Sequence, residues 1–262
     1  MKKILFVLLF ISVNVFAQKK LTLINTIGMK ADFFTSDNQG NVYVVKGSVL
    51  IKFNKKGKPL FKYSSKEFGN ISFVDATNML RILVFYKNFS QVIYLDNTLS
   101  LVGKPISLDK INFNQTQLVC SSHSNGIWIY NQQNMELVLL DQQLQKTQQT
   151  GNLSLLLNIN VAPSYLVEND NAIYLQNPAT GILVFDRYGT YYKTILDNTV
   201  EQFQPKGDWI YYLAEGHIKS YNIKTTEENQ FDTPTVTIKN FRFETNVLMI
   251  QTDEAILLYA IL

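Results

Sequence analysis

The chain has 262 residues, of which 46 % are hydrophobic, 13 % aromatic and only 17 % charged, enough apolar material for a large folded core and the opposite of a disordered composition. Its net charge of +3 falls to about +1 once Lys2 and Lys3 are set aside with the leader described next, so a basic face for nucleic acid is not expected. Two histidines and one cysteine are too few for a His/Cys metal cage.

The chain opens on Met1-Lys2-Lys3, followed by an almost unbroken apolar run from Ile4 to Phe16 and then Val15-Phe16-Ala17 at the positions a signal peptidase reads. This layout predicts a secretory signal peptide over residues 1–17, cleaved before Gln18, and a mature protein of residues 18–262. The run is shorter than the roughly 20 residues of a comfortable membrane span, and an uncleaved anchor is the alternative. No later stretch is apolar enough to span, so no transmembrane segment is expected after signal removal. Cys120 is the sole cysteine, which excludes an intramolecular disulfide. Its place after Leu118-Val119 predicts a buried, inert thiol. No cysteine follows the signal run directly, so the usual bacterial lipid attachment is not expected. The expected location is periplasmic, with secretion or the cell surface as the alternative.

Beyond the leader the chain repeats. Six units of paired short strands run Asn41 to Leu60, Arg81 to Val102, Gly126 to Gln148, Ala172 to Ile195, Trp209 to Phe231 and Val247 to Leu262. Their leading strands begin near Val42, Ile82, Ile127, Ile173, Ile210 and Leu248, at spacings of 40, 45, 46, 37 and 38 residues. That period is the blade length of a β-propeller. A further strand precedes each pair: Phe33 to Ser36, Ile71 to Asp75, Gln117 to Ser121, Ser164 to Glu168, Glu201 to Gln204 and Lys239 to Glu244. A fourth follows in most units, as at Pro59 to Tyr63 and Tyr191 to Ile195. The sixth unit stops after its third strand, while Leu21 to Thr26 precedes the first unit with no other place to pair. Joining the two would close the ring and remove two open edges. The prediction is an all-β protein, a single six-bladed β-propeller of four-stranded blades closed by an N-terminal strand. A sandwich array is the alternative, and no segment carries the sustained 3.6-residue period of a long helix. Asp37 to Gly40, Asn54 to Gly57 and Asp186 to Gly189 each place Asx first and Gly fourth, the signature of a type I turn. Their recurrence favours turn formation over ligand binding.

Asp37-Asn38-Gln39-Gly40-Asn41-Val42-Tyr43-Val44, with Ile51-Lys52-Phe53-Asn54 and Gly57-Lys58, resembles a blade of NHL-type or TolB-like propellers. Asn78 to Ser100 and Gly181 to Ile195 resemble segments of exported propeller proteins of bacteria that carry the type IX secretion system, and Phe16-Ala17-Gln18 is similar to the signal ends common there. The resemblance implies a cell-envelope setting beside an outer-membrane translocon. It transfers no catalytic residue.

The chemistry-bearing residues are sparse. Arg81, Arg187 and Arg242 occupy different positions within their units and are not expected to converge. Asp32, Asp75, Glu168 and Glu201 lie near inner strands and could approach the channel, where an oxygen-rich metal site would need them. His123 and His217 fall in links on opposite faces and read as solvated turn residues. No phosphate loop, nucleophile elbow or zinc spacing occurs. No cofactor, metal or catalytic residue is therefore expected.

Unequal loops carry the stronger signal, because long loops on a rigid scaffold commonly carry function. Gly103 to Thr116 and Thr150 to Pro163 flank the third unit, and the link Lys87 to Ser90 should emerge on the same face. Both long loops are unexpectedly apolar. Phe89, Ile111, Phe113, Leu155, Leu156, Leu157 and Ile159 are the candidate partner-binding residues, with mutual burial over the channel mouth as the alternative. The expectation is a non-enzymatic protein-protein interaction module with an envelope protein partner, an accessory subunit of an outer-membrane translocon. The alternatives are a channel-site hydrolase or lyase acting on a sugar or small molecule, and a non-catalytic glycan or peptide binder.

Overall fold

The second and third strands of several repeats are buried at consecutive positions rather than alternate ones. Ile82–Tyr86 is buried at all five residues, as are Ile127–Asn131 and Glu136–Leu140. A strand of that kind is covered on both faces, as in a sheet sandwiched between two neighbours. The computed structural model, which describes residues 21–261, shows how: six antiparallel sheets of four strands each stand in a ring. The leader predicted at residues 1–17 lies outside the described residues.

The innermost strands are Phe33–Ser36, Phe73–Asp75, Leu118–Ser121, Tyr165–Asn169, Val200–Lys206 and Asn240–Glu244. Each blade then adds strands outward in chain order. The last blade takes its outer strand from the N-terminal segment: Leu21–Ile27 pairs antiparallel with Ile256–Ile261, from Leu21 opposite Ile261 to Ile27 opposite Ile256. The ring is a six-bladed β-propeller closed by its own N-terminal strand.

The core is divided into six seams, one between each pair of adjacent blades. Ile82, Val84 and Tyr86 of the second blade pack against Tyr43, Val45 and Leu50 of the first. The intervening Leu83 and Phe85 point the other way, against Val119, Ile127 and Ile129 of the third. The period-2 alternation of a strand thus feeds two cores at once. At the closing seam Ile27, Met249 and Leu258 meet Phe34, Val42 and Phe53.

Polar side chains clamp the seams by reaching to the neighbouring blade's backbone. Lys52 Nζ donates to the Asn97 carbonyl at 3.0 Å, Gln176 Nε2 to Val200 at 2.7 Å, Gln204 Nε2 to Phe243 at 3.1 Å and Gln251 Nε2 to Ala31 at 3.0 Å. Asp75 Oδ2 accepts from the Ser121 amide at 2.9 Å, and Tyr130 Oη donates to the Val161 carbonyl at 3.2 Å. One such bond is modest, but a buried donor or acceptor left unpaired costs more than a pair contributes.

The Asx turns form as the sequence pattern predicts. Asp37 Oδ1 accepts from the amides of Gln39 and Asn41, and Gly40, at a φ of 81°, donates to the Asp37 carbonyl. Two expectations change. Gly103–Ser107 is not loop: the outer strand of the second blade runs Leu101–Ser107, with Ile106 opposite Val92. A register shift between Val92 and Tyr94, with Gly103 at a φ of 73°, carries the strand past a Gly-Lys-Pro sequence that reads as a break. Within the second loop, Leu153–Leu157 forms a single short helix.

Candidate functional site

Two regions offer a surface for ligands or partners: the axial channel and the face that carries the blade-to-blade connections.

The channel is lined by alternate residues of the inner strands. In the last blade Phe241 and Phe243 turn into the seams while Asn240, Arg242 and Glu244 face the axis. It is divided into two cavities, of about 500 Å³ and about 350 Å³. The larger opens where the first and second strands of each blade are linked, and it carries Asp75, Glu168, Asp170 and Glu244 with Lys206 and Arg242. All four carboxylates already hold neighbours, Asp170 accepting from Asn169 Nδ2 at 3.1 Å. Asp75 binds Ser121 and Thr77. Glu168 accepts from the Trp128 indole at 2.7 Å and from the His123 amide at 3.2 Å. Glu244 accepts from Ser36 Oγ at 2.7 Å, Gln204 Nε2 at 3.1 Å and Lys206 Nζ at 3.1 Å. Asp32 faces away from both cavities, bound to the Gly47 amide and to Lys46, and these contacts hold its carboxyl below the usual carboxylate value. Glu201 is exposed and lines neither cavity. Among the described residues no group of three or more His, Cys, Asp or Glu side chains could hold a metal ion.

His123 lies in the link between the first two strands of the third blade, whereas His217, expected in a link, opens the third strand of the fifth blade opposite Ala214, the turn being only Glu215-Gly216. The arginines stand apart. Arg81 stacks on the Tyr94 ring and donates to the Asn125 carbonyl, and Arg187 lies over Tyr188. Only Arg242 reaches the channel. Cys120 is buried in the seam between the third and fourth blades, where desolvation, then the nearby Asp75 and Glu168 charges, push its thiol well above the ordinary value. It is a packing residue.

On the connection face the candidate residues divide by burial. Ile111 and Phe113 pack partly against the seam of blades two and three, after a 3-10 turn at Asp109–Ile111. Leu157 and Ile159 pack partly against the Trp128 seam, beside fully buried Leu153. Leu155, Leu156 and Phe89 project into solvent, at 82 %, 59 % and 51 % exposure. The helix is held rigidly: Asn152 caps it by accepting from the Leu155 amide at 2.9 Å, and the Leu153 amide donates to Met135 at 2.8 Å. Met135, which the sequence reading did not single out, is itself exposed beside this helix. Its signal was the apolar residue in an otherwise polar link, Gln132-Gln133-Asn134-Met135. Leu156, Leu157 and Ile159 also border a shallow groove of about 640 Å³ shared with Thr180, Tyr191 and Thr194 of the fourth blade.

The channel waist was the other feature missed. Tyr165 Oη lies 3.3 Å from the Arg242 guanidinium, and both residues border both cavities. An arginine between two phenylalanines on an inner strand was the available signal, but which alternate faces the axis depends on the blade's orientation.

No protein-family model matches the chain, and no curated protein matches it. Solved structures do match, at the level of fold. A catalytically inactive virginiamycin B lyase from Staphylococcus aureus, with quinupristin, is similar at a TM-score of 0.61 and 11 % identity, over 94 % of this chain and 100 % of the other. The WD40 domain of Neurospora crassa Pan2 is similar at 0.61 and 9 % identity, over 94 % and 96 %. The BBS1N chain in complex with ARL6DN is similar at 0.55 and 12 % identity, over 85 % and 75 %. These proteins have different roles, so the likeness establishes the propeller and leaves the activity to the chain's own residues.

Proposed function

We propose that this chain is a non-enzymatic interaction propeller of the bacterial cell envelope, periplasmic and acting as an accessory subunit of an outer-membrane export translocon of the type IX kind. The observation that carries the interaction reading is the pair Leu155 and Leu156, exposed at 82 % and 59 % on a helix whose base is pinned by buried Leu153. Apolar side chains held rigidly on a surface lose little conformational freedom on docking, and clustered apolar exposure marks contact sites. Met135, whose carbonyl accepts from the Leu153 amide, extends the patch, and Phe89 is exposed on the same face in the link of the second blade. One fold relative, BBS1N, is itself seen bound to another protein. The envelope placement rests on the signal-like N-terminus and the sequence resemblance. The hydrolase or lyase reading has weaker support, because Asp75, Glu168 and Glu244 are engaged in seam hydrogen bonds.

The test uses the tagged full chain in its native host. The wild type should recover an outer-membrane channel protein stoichiometrically from gently solubilised envelopes. Leu155→Asp with Leu156→Asp should keep the circular dichroism spectrum and weaken association by at least about thirtyfold, the scale of a lost hot spot. Unchanged recovery by the folded double variant would refute the docking face. Wild type recovered without an envelope partner would refute the translocon role.

A further inference from the structure

The smaller channel cavity, of about 350 Å³, opens on the connection face and differs in charge from the larger one. Its lining includes two cationic side chains, Arg242 and Lys87, and no aspartate or glutamate. The larger cavity carries four carboxylates against two cations. The channel is therefore polarised along its axis, with an acidic mouth at one end and a cationic well at the other.

Arg242 sits at the floor of this well, on the waist between the two cavities. A guanidinium has five N–H donors and no acceptor, and Arg242 has one hydrogen-bonding partner, Tyr165 Oη at 3.3 Å. Among the described residues no carboxylate lies within ion-pair distance of it, whereas Lys206, on the acidic side, is paired with Glu244 at 3.1 Å. A partly buried guanidinium without a counter-charge, inside low-dielectric walls, attracts an anion. The planar, bidentate partner that suits it is a carboxylate. Phe73 and Phe33 supply apolar walls beside it, Phe73 lying 6.0 Å edge-on from the Tyr165 ring. Gln202 and Gln117 stand at the polar rim. The volume falls in the range of small-molecule sites, roughly 300–1,000 Å³.

We infer that the connection-face half of the channel binds a small organic monocarboxylate with an aromatic or apolar body, its carboxylate held by Arg242 and Tyr165 at the waist. One deep cation favours a monoanion over phosphate, because Lys87 lies exposed at the other end of the lining. This site is separate from the helix that carries Leu155 and Leu156, and it stands or falls without the docking reading.

Titration calorimetry at low ionic strength tests it with three probes: hippurate, its neutral amide hippuramide, and inorganic phosphate. Wild type should bind hippurate saturably, at least about tenfold more tightly than hippuramide or phosphate, and more weakly as salt is added. Arg242→Met should abolish the preference for hippurate. Gln202→Glu, a change at an exposed side chain that adds a carboxylate to the same well, should abolish it with Arg242 in place. It therefore decides the matter if Arg242→Met fails to fold. Absence of saturable hippurate binding up to about 10 mM, roughly the weakest specific affinity worth the name, would overturn the inference. So would equal binding of hippurate and hippuramide, tighter binding of phosphate, or a preference that survives in a folded Arg242→Met or Gln202→Glu.

Discussion

Glu168 accepts hydrogen bonds from the Trp128 indole at 2.7 Å and from the His123 amide, and its side chain is only 5 % exposed. Trp128 belongs to the third blade and Glu168 to the fourth, so one carboxylate joins two sheets. Glu168→Ala is expected to cost about 2–3 kcal/mol, the scale of a charge-assisted bond whose buried donor is left unpaired. Glu168→Gln should cost less, about 1 kcal/mol, because its amide oxygen still accepts from the indole. Urea unfolding followed by tryptophan fluorescence measures both, since Trp128 is wholly buried. Equal losses from the two variants would mean that packing, not the hydrogen bond, carries the effect. The sequence marked Glu168 and Asp75 as channel candidates and placed both near the axis correctly. Whether an axial carboxylate faces a ligand or a neighbouring blade depends on groups about 40 residues away, and local pattern does not encode that.

Single elements show where local signals suffice. Asx-x-x-Gly turns are built from contacts within five residues, so their geometry was legible. The helix Leu153–Leu157 had its signals too, an asparagine at each end: Asn152 as the cap and Asn158 in the left-handed region at a φ of 52°. It escaped a period-based reading because five residues hold little more than one turn. Gly126 has a different reason for being glycine. A Cβ there would lie inside contact distance of the Leu140 carbonyl and 3.2 Å from the Leu139 side chain. Gly126→Ala should therefore force the second and third strands of the third blade apart and cost about 1–3 kcal/mol, as overpacking does. A shift of the urea midpoint measures it. A neutral result would show that the strand relaxes without loss.

At the scale of the molecule, stability depends on a ring with no break. Leu21–Ile27 supplies the outer strand of the last blade, and Ile27 also fills the seam between that blade and the first. A chain lacking residues 21–27 should bare the edge of Ile256–Ile261 and open that seam. Its melting temperature should fall by at least about 10 °C, where 1 kcal/mol moves a domain of this size by roughly 2–4 °C. The bared edge should also pair between copies, which light scattering detects. An unchanged monomeric melt would show that three strands suffice for the last blade.

The repeat spacing, the four-strand units and the closing strand were all readable in the amino-acid sequence, because each follows from a periodic alternation of apolar strands and turn residues along the chain. Compartment and partner were read there only as expectations. Burial on the connection face was settled by tertiary structure: the same apolar loops hide Leu153 and half-hide Ile111, Phe113, Leu157 and Ile159, yet leave Phe89, Leu155 and Leu156 in solvent. The polarity of the channel was settled there as well. It arises from summing side chains contributed by separate blades, Lys87 at one end, Arg242 at the waist, and Asp75, Glu168 and Glu244 at the other end. A one-dimensional pattern records which residues repeat. Only closure of the ring decides which of them face one another across the axis.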